Sequence, residues 1–166
     1  MSYIRGVNAR RALLATVRPF REDDFEPVIE LWHRTKRDAY PYLPLEQSRT
    51  LDEDRAFFRT SILARCRVFV CEAEGAIRGF VAVNGSYMDR LYVDPSHQRR
   101  GIGSALMAEA LHLSPEGIEL HTHQVNATAR AFYEKHGFVA VAFGLSPPPE
   151  SAPDVEYRRR PAARPR

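Results

Sequence analysis

At 166 residues, 44% of them hydrophobic, the chain is long enough for one ordinary core and too short for two comfortable domains. No run approaches the roughly 20 apolar residues of a bilayer span, and the opening stretch MSYIRGVNARRALLATVRPF lacks the apolar centre of a secretory signal, so a membrane role is excluded and a cytoplasmic location expected. The net charge of +3 is mainly a tail effect: RRRPAARPR, residues 158–166, holds five arginines and no acid, which leaves 19 basic against 21 acidic groups over residues 1–157 and argues against specific nucleic-acid binding. The expected organisation is a flexible extension (1–12), a single domain (13–157) and a disordered basic Pro/Arg tail (158–166) that serves as a solubilising end or as a salt-sensitive contact for an anionic polymer. Cys66 and Cys71 stand five apart around an apolar run, so a strand carries them to opposite faces and they are expected as free, packed thiols.

Leu13 to Arg18 reads as a first strand, ended by Pro19. Phe25, Val28, Ile29 and Trp32 fall at i, i+3, i+4 and i+7, the apolar stripe of a helix running to about Asp38. Tyr40 to Pro44 (YPYLP) reads as a loop, because each proline lacks an amide donor and restricts its predecessor. Thr50 and Glu53 fit a capping box that opens a helix over about 51–65. Three strands follow at 67–73, 76–83 and 87–93, joined at Glu74-Gly75 and Asn84-Gly85, an antiparallel meander. Then come a helix from Gly101 to Leu113, a strand at 118–123, a helix from Ala127 to His136 and a strand from Phe138 to Leu145. After the Pro-rich SPPPESAP, Val155 to Tyr157 is expected as a short edge strand. The class is mixed α+β.

The stretch HQRRGIGSAL (97–106) places two glycines between a strand and a helix. A helix start presents unpaired amides and the positive end of the macrodipole, and Gly101 and Gly103 remove Cβ atoms that would obstruct a close approach. Arg99 and Arg100 add charge. A phosphate-bearing ligand is the expected occupant, with easing of a tight turn as the plain alternative. A Walker A loop fails, because Ser104-Ala105 follows Gly103 where Lys-Ser/Thr would stand. The dinucleotide fingerprint fails at Leu106.

LYVDPSHQRRGIGSAL resembles motif A of the GNAT superfamily of acetyl-CoA-dependent N-acetyltransferases: Gln98, Gly101 and Gly103 meet its signature [Q/R]-x-x-G-x-[G/A]. Asn126 to Phe138 (NATARAFYEKHGF) resembles motif B. The strand and helix order is similar over 13–145. The resemblance implies a mixed, mostly antiparallel sheet flanked by helices and splayed between the fourth and fifth strands. In that picture the main chain of Leu91, Tyr92 and Val93 pairs with pantetheine, and amides of Arg99, Arg100, Gly101, Ile102, Gly103 and Ser104 hold the pyrophosphate. Asn126 contacts the cofactor arm, and Tyr133 approaches the thioester sulfur. Acetyl-CoA is then the cosubstrate.

Attack on a thioester needs a neutral amine, and deprotonating a lysine-like amine at pH 7 costs about 4 to 5 kcal/mol, so a base or a water chain is expected. The departing thiolate benefits from a donor, and the resemblance assigns that to Tyr133, a phenol protonated at neutral pH. Asp89 is the first candidate base, on a strand where superfamily members often place a carboxylate; His121 and Glu72 are alternatives. His121 and His123 share one strand face but have no evident third ligand, so no metal is expected. Trp32, Tyr40 and Tyr42 are candidate lining residues of the acceptor pocket, with core packing the stronger reading of Trp32. The expected activity is acetyl transfer to a primary amine, on a small molecule or a peptide. Transfer of a longer acyl group and acetyl-CoA sensing without turnover stand as alternatives, and the resemblance admits a homodimer.

Overall fold

A computed structural model describes residues 14–161; the expectations for 1–12 and for the end of the tail lie outside these residues. Seven strands form one sheet in the order β1-β2-β3-β4-β5-β7-β6. They are β1 (Ala15–Pro19), β2 (Arg67–Ala73), β3 (Ala76–Asn84), β4 (Tyr87–Val93), β5 (Ile118–His123), β6 (Val139–Leu145) and β7 (Pro153–Arg159). Every neighbouring pair is antiparallel except β4 and β5, which run parallel.

Helices cover both faces. On one, α1 (Phe25–Ala39) buries Phe25, Val28, Ile29 and Trp32, the predicted stripe, against Val70, Phe80 and Ala82. Thr50 and Glu53 make the capping box, with Glu53 N–H donating to Thr50 Oγ1 at 3.2 Å and Thr50 N–H to Glu53 Oε2 at 2.7 Å. The helix it opens is not uniform: α3 (Leu51–Phe57) passes through a π-helical turn (Phe58–Ile62) into α4 (Leu63–Arg65), and the turn buries both Phe58 and Ile62. On the other face lie α5 (Ile102–Leu113) and α6 (Ala127–Lys135), with Ile102, Leu106, Met107 and Ala110 packed on Val81, Leu120 and Val155. Cys66 and Cys71 are free thiols, and burial raises the pKa of both.

Three expectations are corrected. The first strand lies at 15–19, so Pro19 closes it from inside, as an edge-strand residue. Pro44 is not the end of a loop: Leu43 caps α2 (Pro44–Ser48), with the proline at a position where its missing N–H costs nothing. The strand around 155–157 is longer than expected and is not an edge. It inserts between β5 and β6, buries Val155 and Tyr157 fully, and takes Arg158 and Arg159 out of the supposed tail. No helix among the described residues is long and apolar enough to cross a membrane.

Candidate active site

The parallel neighbours β4 and β5 meet at one residue pair, Tyr87 with Glu119, supported by Glu119 N–H donating to Ser86 O at 2.9 Å, and then diverge. On its other side β4 is bulged: Ala82 faces Arg90 and Val83 faces Met88, leaving Asp89 as the extra residue. A bulge bends a strand and re-aims its side chain. Since β5 spends its far edge on β7, the edge of β4 from Asp89 to Val93 keeps main-chain groups open along one side. The gap is the floor of an open cleft of ≈ 2220 Å³, beyond the roughly 300–1,000 Å³ of a single-ligand pocket and roomy enough for two.

At the end of β4 the chain enters the glycine turn. Asp94 caps a 3-10 turn (Pro95–His97) by accepting from Ser96 N–H at 3.0 Å and Ser96 Oγ at 2.8 Å. Burial opposes its ionisation, but these bonds and the nearby Arg34 hold its carboxyl below the usual range. Arg99 and Gly101 then take left-handed φ values of 60° and 87°. The strained turn directs successive amides outward: the helical ladder starts with Ala105 N–H to Gly101 O at 3.0 Å, and the N–H groups of Arg99 to Ser104 donate to no backbone carbonyl among the described residues. Such a run of amides at a helix start is an anion cradle.

The predicted residues divide here. Gln98, Arg99, Gly101, Gly103 and Ser104 line the cleft, as do Leu91, Tyr92 and Val93. Ile102 is 1% exposed in the core, and Arg100 leans toward Glu74 Oε1 at 3.7 Å, so neither side chain faces the cleft and each can contribute only its main chain. Gly101, expected as the first helical residue, is the N-cap of α5. Gly103 also has a packing reason, since a Cβ there would stand 3.1 Å from Cε2 of Phe132.

Across the gap, Asn126 lines the cleft, and its Oδ1 caps α6 by accepting from Ala129 N–H at 3.1 Å, which leaves Nδ2 without a hydrogen-bond partner among the described residues. Tyr133, about two turns later, packs its ring against Phe138 and Tyr157 at 5.8 and 6.1 Å. Its hydroxyl makes no hydrogen bond among the described residues while the side chain lines the cleft. Burial pushes this phenol well above its ordinary pKa, with Tyr40 and Tyr87 adding to the shift, so it is held as a proton donor.

Beyond Tyr133 the cleft is polar and aromatic. His123, at the end of β5, contacts Tyr40 edge-on at 4.9 Å, pairs Nε2 with Glu150 Oε2 at 3.1 Å and pairs Nδ1 with Tyr42 Oη at 2.9 Å. The His123 bond holds the Glu150 carboxyl below its usual range, and burial pushes Tyr42 up to about 12. Tyr42 sits behind His123 and is not part of the cleft wall, whereas Tyr40 is. Trp32 is 2% exposed yet touches the cleft from the core side. Asp89 and His121 line the wall; Glu72 does not, since it lies on β2, two strands from β4, where it accepts from Arg18 Nε at 2.7 Å, and it is withdrawn as a base. Glu150 and Arg90 were missed. Glu150 hides in a Pro-rich connection that reads as linker, and Arg90 looks like an exposed strand residue until the gap between β4 and β5 is known. Among the described residues no three His, Cys, Asp or Glu side chains converge as metal ligands.

A family model described as "Acetyltransferase (GNAT) domain" matches residues 64–140, from the end of α4 into β6. The chain is similar to the peptidyl-lysine N-acetyltransferase YjaB of Salmonella typhimurium, 29% identical over 126 residues that span 76% of this chain and 84% of the relative. It is similar to the peptidyl-lysine N-acetyltransferase YiaC of Escherichia coli, at 28% over 74% of this chain and 82% of the relative. Among solved structures, apo YjaB from Escherichia coli superposes with a TM-score of 0.74 at 23% identity, covering 90% of this chain and 99% of that one. The PaiA N-acetyltransferase from Thermoplasma acidophilum in complex with coenzyme A superposes with a TM-score of 0.68 at 18% identity, over 88% and 98% of the two chains. The family model, the motif order and these relatives named N-acetyltransferases support membership of the GNAT superfamily of acyl-CoA-dependent N-acyltransferases.

Proposed function

We propose that the protein transfers an acetyl group from acetyl-CoA to a primary amine by direct attack within a ternary complex, working in the cytoplasm. One observation carries the reading: the open edge of β4 leads straight into the unpaired amides of residues 99–104, and the free phenol of Tyr133 stands across the same gap. The edge suits the amides of a pantetheine arm, and the amide run with Arg99 suits a pyrophosphate. Asn126 Nδ2 would meet the same arm. The amine enters from the aromatic and carboxylate end. Its excess proton passes to Asp89, directly or through one water, and the neutral nitrogen attacks the thioester carbon. As the new C–N bond forms and the C–S bond breaks, the adduct nitrogen releases its second proton to water, and Tyr133 gives its own proton to the departing thiolate and is reprotonated from solvent.

The relatives' name, peptidyl-lysine N-acetyltransferase, favours a lysine-type amine as the acceptor. Calorimetry with CoA and acetyl-CoA at modest ionic strength tests the cradle, and saturable heat is expected. Thiol release against a panel of amines, with a mass gain of one acetyl unit in the product, tests the transfer. Binding without thiol release would instead favour a sensor, and faster release from longer acyl-CoAs would correct the acyl group. Asp89→Asn and Glu150→Gln compare the two carboxylates; a loss confined to Glu150→Gln would move the proton acceptor to the His123–Glu150 pair.

A further inference from the structure

The acceptor end of the cleft holds a cation whose role the transfer reaction leaves open. Arg90 follows the bulge at Asp89, lines the cleft and is 30% exposed at its side chain. Its guanidinium lies near the rings of Trp32 at 6.0 Å and Phe57 at 5.9 Å, which give it an apolar, aromatic flank. Nη1 is engaged by its neighbour, donating to Asp89 O at 2.7 Å and pairing with Asp89 Oδ1 at 2.8 Å. The other edge of the fork, Nε and Nη2, has no hydrogen-bond partner among the described residues. A guanidinium offers five N–H groups, and a free edge of two parallel donors matches the two oxygens of a carboxylate.

A second observation points the same way. Two buried side-chain atoms, Trp32 Nε1 and Thr35 Oγ1, have neither a hydrogen-bond nor an ion-pair partner among the described residues. Both residues belong to α1 and line this cleft. Buried polar atoms are normally satisfied, so this pair marks a wall suited to a polar guest. Glu150 faces the same space from the opposite wall, outside ion-pair distance of Arg90, so the chamber has an anionic side and a cationic side.

We propose that Arg90 is a specificity residue that receives a carboxylate of the acceptor, so that the preferred substrate is an amine whose own skeleton carries a carboxylate close by. The proposal rests on the acyl-transfer reading above. In a bound acceptor the ammonium lies toward Asp89 and Glu150, and the carboxylate accepts from the Nε and Nη2 edge of Arg90. Two sources share that chemistry: a free amino acid, and a lysine beside an acidic residue in a peptide.

The test uses matched amines. Lysine is compared with cadaverine, which lacks only the carboxylate, and a lysine peptide with a neighbouring Glu is compared with its Gln counterpart. Initial rates with acetyl-CoA, and calorimetric affinity on the CoA-loaded protein, are measured for each pair. The carboxylate partner of at least one pair is expected to win by about 10-fold or more in kcat/KM or affinity, and the pair that shows it identifies the source. In Arg90→Gln the preference is expected to fall to near one, and Arg90→Lys, which keeps the charge without the fork, to retain part of it. Equal values within both pairs for the unaltered protein, or a preference that survives in Arg90→Gln of intact fold, overturn the proposal. Absence of turnover with every amine would fail the transfer reading alone, and the affinity comparison would still decide the role of Arg90.

Discussion

Gly103 and Phe132 are in contact across two helices: a Cβ on the glycine would lie 3.1 Å from Cε2 and 3.3 Å from Cζ of the ring. The second glycine of the turn therefore sets how closely α5 approaches α6, and Phe132 precedes Tyr133. Gly101 differs, having open space around it but a φ of +87°. Gly101→Ala is expected to cost about 1 to 2 kcal/mol through left-handed strain alone. Gly103→Ala is expected to lower kcat more than Gly101→Ala does, because a ring displaced by a few tenths of an ångström carries its neighbour with it. Thermal unfolding and steady-state rates on both variants make the comparison, and a Gly103→Ala enzyme with unaltered kcat would refute the coupling.

Tyr133→Phe removes a hydroxyl that has no internal partner, so stability should change by less than about 0.5 kcal/mol. Turnover should fall by about 10² or more if proton donation is lost, with acetyl-CoA affinity retained. Because burial holds this phenol above its ordinary value, the donor stays protonated through and beyond pH 10. The kcat/KM profile is therefore expected to rise as the amine and its base deprotonate and to show no falling limb below pH 10 from Tyr133. A falling limb near pH 9 that disappears in Tyr133→Phe would contradict the buried, neutral donor.

Asn126 does two jobs with two ends of one amide. Its Oδ1 caps α6, and its Nδ2, at a residue lining the cleft, is the donor offered to the cofactor arm. Asn126→Asp keeps the capping oxygen and removes the donor, whereas Asn126→Ala removes both. The alanine variant should lose about 1 kcal/mol of stability, the aspartate variant little, and both should bind acetyl-CoA more weakly. Normal affinity in a folded Asn126→Asp would leave this residue a cap only.

Asp54 is fully buried and holds Lys36 Nζ at 2.7 Å, His33 Nδ1 at 2.7 Å and Arg49 Nε at 3.3 Å, while Lys36 also meets Glu46 at 3.0 Å. These contacts tie α1, α2 and α3 together behind the acceptor wall. Asp54→Ala leaves a buried ammonium with one remaining partner, and a loss of about 3 to 5 kcal/mol is expected in denaturant unfolding. A loss below about 1 kcal/mol would mean that the network is not what fixes these helices.

Much of this was readable beforehand, for local reasons. The stripe of α1, the capping box of Thr50, the meander and the glycine turn are short-range patterns whose physics lies within a few residues, and β2, β4 and β5 fall where alternation places them. What escaped notice depends on distant partners. The π-helical turn at 58–62 buries Phe58 and Ile62, yet these stand at the i, i+4 spacing of an ordinary helix, so nothing local announces it. The interior position of β7 depends on β5 and β6 offering it two edges, which no feature of 153–159 announces. The site divided in the same way: amides and glycines declare themselves by spacing, while Arg90 and Glu150 become part of a chamber only when strands far apart in sequence diverge around them.

The placement of β7 also says something about how the molecule comes into being. The last described strand is not an ornament on a finished sheet but its missing middle, so during synthesis the stretch ahead of it must wait, with β5 and β6 unjoined, until residues 153–159 have left the ribosome. A messenger cut short before that point would yield a chain with every motif of the coenzyme site and only the single Tyr87–Glu119 pairing to hold β5 in register.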